Sequence, residues 1–464
     1  MATLASLSFL QAPSIVTEVP GPKSRRAAER QARFESQTRV YSTYFPIGVD
    51  QARGSTVKDL DGNVYVDWYA GVCVQNLGHA HPVVVEAIRK QMDSIVHSID
   101  LPYEARLQFV ENLVATLPGD LRNNAKVMFT VTGADACETA LSLARRTTGR
   151  KAIIAFGGAY HGIHGSIVGA TANYHYREYQ GVPQYETYHL PYPYTYRFPF
   201  KVKEGEESAT VIDYLEYLIK DGHSGIGPVA GIIVEPIQGE GGYVIPPDDF
   251  LPMLAEVSRK HSIPLILDEV QSGVGRTGKM WAAEHSKIDP DVVCISKSIG
   301  GGVPLSMIAY RREYDEGLPA GFHVGTYRGN ALGIAAGNAV LKFLATNPVF
   351  ERVRKDGEKL KKRFVEICED SPFVGEVRGK GFMIGVELVE DRRSRVPAGK
   401  LADDMRSEML RRGLLMHTCG HFNNVLRFMA PLTIEDSLLD AGLAVFEDSL
   451  RVVSKNQTGR RGSR

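Results

Sequence analysis

The chain reads as an α/β protein, with a large domain built on a mostly parallel sheet and a smaller α+β domain. Three observations predict this. From about residue 105, short apolar runs alternate with helical stretches, the pattern of strands covered on both faces. After Asn330 the alternation gives way to two long helical segments and a few further strands. At 464 residues the chain is also too long for one small core.

The first clear element is a hairpin at 57–72, where Asp61-Gly62 supplies the turn between two short strands. Apolar residues at helical spacing follow over 82–96. Strands are expected at 126–131, 152–156, 229–234, 265–267, 292–295 and 306–309, and helices at 136–146, 211–220 and 250–260. Residues 173–205, with the Tyr-rich Pro191-Tyr-Pro-Tyr-Thr-Tyr196, read as a long insertion between strands, a length usually tied to function or disorder. Helices at 331–344 and 351–368, strands at 381–388 and 425–428, and a helix at 401–412 make up the small domain, which the N-terminal hairpin joins. The expected division is 1–75 for an arm and part of the small domain, 76–335 for the large domain and 336–464 for the rest of the small one. There are no internal repeats.

Hydrophobic residues make up 43% and charged residues 23%, with 54 Lys plus Arg against 54 Asp plus Glu. That balance leaves no global field to recruit nucleic acid or a membrane surface. The five cysteines (Cys73, Cys137, Cys294, Cys368, Cys419) are scattered with no CxxC pair, which fits reduced thiols in the cytoplasm rather than a disulfide framework. Residues 1–19 lack a basic leader and a clear cleavage site, so a flexible arm is expected there. No apolar run reaches membrane-spanning length. The polar, basic stretch 454–464 reads as a frayed tail.

The chemistry gathers where apolar strands end, the place at which open parallel sheets bind ligands. Asp291-Val-Val-Cys-Ile-Ser-Lys297 delivers a lysine into Ser-Ile-Gly-Gly-Gly302, and Pro264-Leu-Ile-Leu-Asp268 puts a carboxylate at the mouth of another strand. A lone lysine at a strand end is most simply solvated. Paired with such an acid, it suits a Schiff-base site, in which the amine bonds to an aldehyde and the acid holds the protonated ring nitrogen of pyridoxal phosphate. Thr132-Gly133-Ala134-Asp135 starts a helix after a strand, so free N–H groups can meet a phosphate at a positive terminus. Tyr160-His161-Gly162 offers an aromatic face to a flat heterocycle. Glu235-Pro-Ile-Gln238-Gly239-Glu240-Gly-Gly242 follows the strand 229–234. The first two of these last three are commonplace alone; the third is more specific.

Together, in this order, the motifs resemble the class III aminotransferases of pyridoxal phosphate fold type I. The likeness runs from about Tyr44 to about residue 450. Leu267-Asp268-Glu269-Val270-Gln271-Ser-Gly-Val-Gly-Arg276-Thr277-Gly278 and Ser296-Lys297-Ser-Ile-Gly-Gly301 are its most specific parts. The resemblance implies a large domain with a seven-stranded sheet, with Lys297 as the Schiff-base lysine and Asp268 as the pyridinium partner. It places Gln271 near the ring hydroxyl, Gly133 and Ala134 in the phosphate cup and Tyr160 on the ring. Thr326, in Gly325-Thr-Tyr-Arg328-Gly-Asn330, is similar to the threonine that reaches the phosphate in the other subunit, which implies a homodimer with shared sites. Arg427 matches the arginine that clamps the α-carboxylate of glutamate or 2-oxoglutarate, a task suited to a planar bidentate fork. Glu240 matches the gate that pairs with this arginine when an ω-amine enters. The alternative for those two, an ion pair in the small-domain interface, ranks behind the gate.

The stretch 191–200 with 325–330 is most similar to the 2,4-diaminobutyrate:2-oxoglutarate branch. The 4-aminobutyrate and ornithine enzymes carry an Arg just after the aromatic-x-Gly motif, where it grips a distal carboxylate; this chain has Ile163. That departure argues against those substrates and leaves the distal carboxylate of 2-oxoglutarate without an evident partner. Ala134 for the usual hydroxyl residue and Asp135 for the usual Glu are smaller departures that bear on the phosphate cup.

His79-Ala-His81, His161-Gly-Ile-His164 and His417-Thr-Cys419-Gly-His421 invite a metal reading, but no fourth ligand at zinc spacing is evident and no metal is expected. The charged run 351–362 is a solvated helix face, and no G-x-G-x-x-G follows a first βαβ strand. The expected activity is an ω-type transamination. An amino donor displaces Lys297, which then shuttles the proton, and a keto acid, 2-oxoglutarate held by Arg427, completes a ping-pong cycle. Racemisation or epimerisation and decarboxylation on the same fold also keep Lys297 and Asp268; dependence on a keto acid separates them. A silent scaffold would be colourless.

Overall fold

A computed structural model describes residues 7–9, 11–180 and 186–462. The chain forms two compact units, one from the residues up to Pro82 and from Arg354 onward, the other from Val83 to Val353.

The discontinuous unit opens with β1 (Val49–Arg53), β2 (Thr56–Asp59) and β3 (Val64–Asp67), an antiparallel meander with its Asp61-Gly62 turn where the sequence puts it. The described residues between Leu7 and Val19 are not a flexible arm. Ser14 pairs with Val64, Asn63 Oδ1 accepts the N–H groups of Val16 and Thr17 at 2.8 and 2.9 Å, and Ser8 Oγ donates to Glu435 Oε2 at 2.8 Å. All these partners are distant in sequence, so local composition could not reveal them. Asp61 then works twice. Its two oxygens accept from Lys23 N at 2.7 Å and Ser24 N at 2.8 Å, capping the helix Pro22–Phe34 from another segment.

After β3 the backbone makes a left-handed turn at Ala70, Gly71, Val72 and Cys73, with φ of 46°, 59°, 59° and 62°. Each non-glycine residue there costs about 1–2 kcal/mol. Asp67 holds the entry, Oδ1 accepting from Tyr69 N at 2.8 Å and Ala70 N at 2.9 Å.

The continuous unit carries one seven-stranded sheet. Its strands are β4 (Ala125–Thr130), β5 (Ala152–Phe156), β6 (Thr187–Leu190), β7 (Val229–Val234), β8 (Leu265–Asp268), β9 (Val292–Ile295) and β10 (Ser306–Arg311), in the order β4-β10-β9-β8-β7-β5-β6. From β9 to β6 all neighbours are parallel, while β10 runs antiparallel to both of its own. β5, β7, β8 and β9 are buried throughout, the apolar content expected of strands covered on both faces. β6 lies inside the stretch 173–205 read from sequence as one insertion. It is an edge strand and only Leu190 is buried, so its Thr-Tyr-His-Leu carries no strong apolar signal. Residues 181–185 of that stretch lie outside those described.

The discontinuous unit finishes with β11 (Val374–Lys380), β12 (Met383–Leu388), β13 (Leu414–Leu415), β14 (His417–Cys419) and β15 (Val425–Phe428). β13 joins β3 in parallel, and the others form a sheet of order β11-β12-β15-β14. The closing helix runs from Asp436 to Gly462, so the stretch expected to fray from residue 454 continues it instead. Among the described residues no helix is long and apolar enough to cross a membrane.

Candidate active site

The parallel strands of the continuous unit bring their C-terminal ends to one cavity of about 240 Å³. Six of the residues singled out from sequence line it: Gly133, Ala134, Tyr160, Asp268, Gln271 and Lys297. β8 and β9 are parallel neighbours with Asp268 opposite Cys294, so the two strands end together and Lys297 follows three residues on. Lys297 has φ +51°, a left-handed backbone that a non-glycine residue adopts at a cost of about 1 kcal/mol. It begins the short 3-10 turn Lys297–Gly300, which ends at the left-handed Gly301.

Asp268 is buried and firmly held. Oδ1 accepts from Val270 N at 3.0 Å; Oδ2 accepts from the Cys137 thiol at 3.4 Å and lies 2.8 Å from His161 Nδ1. With Nδ1 donating to the carboxylate, the buried His161 Nε2 has no protein partner. The sequence names His161 within Tyr160-His161-Gly162 and among the metal candidates set aside, but gives it no role of its own. Its position directly after Tyr160 was the available signal, and its partner lies 107 residues away. His161, Cys137 and Asp268 offer three atoms within 4.8 Å of one another. The Cys137 thiol, however, is held well above the usual thiol range by its hydrogen bond with Cys294 and by burial, which makes it a poor metal ligand.

Thr132 Oγ1 accepts from Asp135 N at 3.2 Å and caps the helix Gly133–Thr148, so the N–H groups of Gly133 and Ala134 are the ones an anion would meet. Asp135, the shorter acid at its position, accepts from Val131 N at 2.8 Å and ties the strand end to the helix start. Gly162 lies so close that a Cβ there would sit 2.8 Å from Ala134 Cα. This loop can be built only with glycine.

The cavity suits pyridoxal phosphate. It is lined by an amine, a fixed carboxylate, a helix N-terminus and an aromatic ring, and two buried polar atoms, His161 Nε2 and Gln271 Oε1, lack protein partners.

Glu235 and Glu269 flank Asp268 as buried carboxyls. Glu235 accepts from Tyr160 N at 3.0 Å and Gly239 N at 2.8 Å; Glu269 accepts from Ser272 Oγ at 2.6 Å and Ala283 N at 2.8 Å. Burial first, and then the Asp268 charge, pushes both up from 4.5 to about 7. Between those values the folded chain holds protons that the unfolded chain has released, so stability falls as pH rises through the window. Glu269→Gln is expected to flatten that fall, read as denaturation midpoints from about pH 5 to about pH 8. An unchanged slope would refute the assignment.

Of the remaining residues, Glu240 does not line the cavity but meets Gln271, whose Nε2 donates to its Oε1 at 3.5 Å. Thr326 is exposed in the loop before the helix Ala331–Thr346 and is also outside the cavity lining. Ile163 lines the cavity. Arg427 belongs to the discontinuous unit, on β15, where it is buried.

Comparison with known proteins agrees with this architecture. Residues 38–450 match the family model described as aminotransferase class-III. The diaminobutyrate--2-oxoglutarate aminotransferase of Rhizobium meliloti is 40% identical over 89% of this chain and 89% of its own length. The enzyme of the same name from Haemophilus influenzae is 37% identical over 92% of this chain and 96% of its own. Among solved structures, a thermostable (S)-enantioselective omega-transaminase from Thermomicrobium roseum superposes with a TM-score of 0.83 at 31% identity, covering 92% of this chain and 98% of that one. A seven-stranded sheet closing on a lysine and a carboxylate, with a family match over most of the sequence, leads to one conclusion: the chain belongs to the class III aminotransferases, enzymes that work with pyridoxal phosphate.

Proposed function

We propose that this aminotransferase moves the terminal amine of a diamino acid such as 2,4-diaminobutyrate to 2-oxoglutarate, in the cytoplasm, as a homodimer with shared sites. The donor assignment rests on the relatives rather than on Ile163 in the cavity wall. An apolar side chain there cannot grip a distal carboxylate, but 2,4-diaminobutyrate carries its carboxylate as far from the reacting amine as 4-aminobutyrate does, so this residue does not separate the two; the 2-amino group does. The relatives named for diaminobutyrate support the same donor.

Pyridoxal phosphate, when bound, supplies the electron sink and the carbonyl that carries the amino group. Lys297 Nζ would hold the cofactor and, once displaced by the donor, would take and return the proton at the substrate carbon. Asp268, oriented by His161 and Val270 N, would keep a proton on the ring nitrogen. The N–H groups of Gly133 and Ala134 would bind the phosphate, and Tyr160 and Gln271 would hold the ring. Arg427 and Glu240 are the substrate contacts, Arg427 for a carboxylate.

An exposed apolar surface supports the dimer. Met92, Val96, Ile99, Leu101, Val324 and Tyr327 are all exposed, and the His97 and Tyr327 rings, 5.8 Å apart, link the two stretches. Thr326, the residue assigned to the partner's phosphate, lies within this surface.

The test is a panel of diamines, ω-amino acids and α-amino acids offered with and without 2-oxoglutarate. 2,4-Diaminobutyrate is expected to exceed 4-aminobutyrate in kcat/KM by about tenfold or more. Turnover is expected to stop after one half-reaction when the keto acid is withheld. Preference for 4-aminobutyrate would overturn the donor assignment.

A further inference from the structure

β14 and β15 place His417 directly opposite Arg427, so the two side chains share one face of the sheet. Across the other edge of β15, the residue opposite Arg427 is Gly385, which puts no side chain there. His417 is therefore the side chain directly across the strand from Arg427, with Cys419 and Glu387 two residues further along the same face.

The imidazole is buried and held by rings on several sides. Its centroid lies 4.5 Å from Tyr44, 5.7 Å from Phe45, 5.7 Å from Tyr69 and 6.0 Å from Tyr41. Arg406 braces this wall: its guanidinium lies 4.9 Å from the centre of the Tyr44 ring and donates to Tyr44 O at 2.5 Å. Thr418 N donates to His417 Nδ1 at 2.6 Å, so the ring proton sits on Nε2. Burial, with the Arg427 and Arg406 charges, drives the imidazole down to about 2, so it stays neutral at any working pH. A second cation would repel the guanidinium, and a carboxylate at this position would occupy it. A neutral ring does neither, and it contributes an N–H.

We propose that His417 is a specificity-determining residue of the keto-acid half-reaction, donating from Nε2 to the carboxylate that Arg427 binds. This rests on the carboxylate reading of Arg427. The aromatic wall fixes the ring and Thr418 N fixes its tautomer, so the donor is preorganised and little conformational freedom is lost on binding.

The test compares H417Q, H417N and H417F holoenzymes, with R427Q as reference, for KM and kcat of both substrates. Gln can place an amide nitrogen near the position of Nε2, Asn only near Nδ1, and Phe keeps the ring without a donor. H417N and H417F are expected to raise KM for 2-oxoglutarate about tenfold or more, with kcat and donor KM within about twofold, while H417Q stays within about threefold of the parent. Unchanged keto-acid KM in H417N or H417F, or equal rises for both substrates, overturns the proposal. If R427Q also leaves that KM unchanged, the carboxylate reading of Arg427 has failed first; if R427Q raises it while H417N and H417F do not, only the role of His417 falls. Should H417F not fold, the Asn and Gln pair decides. If none of the three folds, His417 is a packing residue and the proposal is wrong.

Discussion

Lys297→Ala is expected to lower turnover by about 10⁴-fold or more, because one side chain supplies both the covalent anchor and the proton shuttle. Its placement argues for this. The lysine follows the buried strand Val292–Ile295, adopts a left-handed backbone and lines the same cavity as the Asp268 carboxylate. A lysine serving only as a solvated strand terminus would have no reason to hold that conformation. The measurement is borohydride reduction of the holoenzyme, proteolysis and mass spectrometry. The parent should carry the reduced cofactor on Lys297 and the variant should carry none. Attachment at another lysine, or a variant with near-normal turnover, would remove the basis of the whole site.

For Asp268→Asn the expected loss is about 10²–10³-fold in kcat, together with weaker retention of the cofactor on dialysis. The carboxylate accepts from Val270 N, the Cys137 thiol and His161 Nδ1. An amide has one acceptor oxygen, and its NH₂ would face groups that are themselves donors. His161 would lose the bond that sets its tautomer, and the negative charge opposite the ring nitrogen would be gone. Turnover within about tenfold of the parent, with the cofactor retained, would show that Asp268 is structural.

Much of this site was legible because its strands announce themselves. Val229–Val234 and Val292–Ile295 are unbroken apolar runs buried on both faces, and the residue types at their ends carry chemistry. The edge strand Thr187–Leu190 was not legible, since half-exposed Thr, Tyr and His residues give no run and no clean alternation. Nor were Leu414–Leu415 and His417–Cys419, too short to show a period. The N-terminal segment misled for a different reason. Its order comes from pairs of hydrogen bonds with Asn63, Val64 and Glu435, none of which leaves a mark on nearby sequence. His161 was missed likewise, because a residue's tautomer and purpose depend on what faces it.

The bond between Ser8 and Glu435 spans 427 residues, and it bears on how the polypeptide is made. The stretch Val83–Val353 is uninterrupted, so its contacts can all form while the ribosome is still adding the C-terminal residues. The other body cannot be completed until the last helix has been synthesised, since its opening residues wait for acceptors encoded near the end. Ligand-binding loops around Lys297 thus have the means to mature early in translation, whereas the surroundings of Arg427 wait for strands made later in the chain.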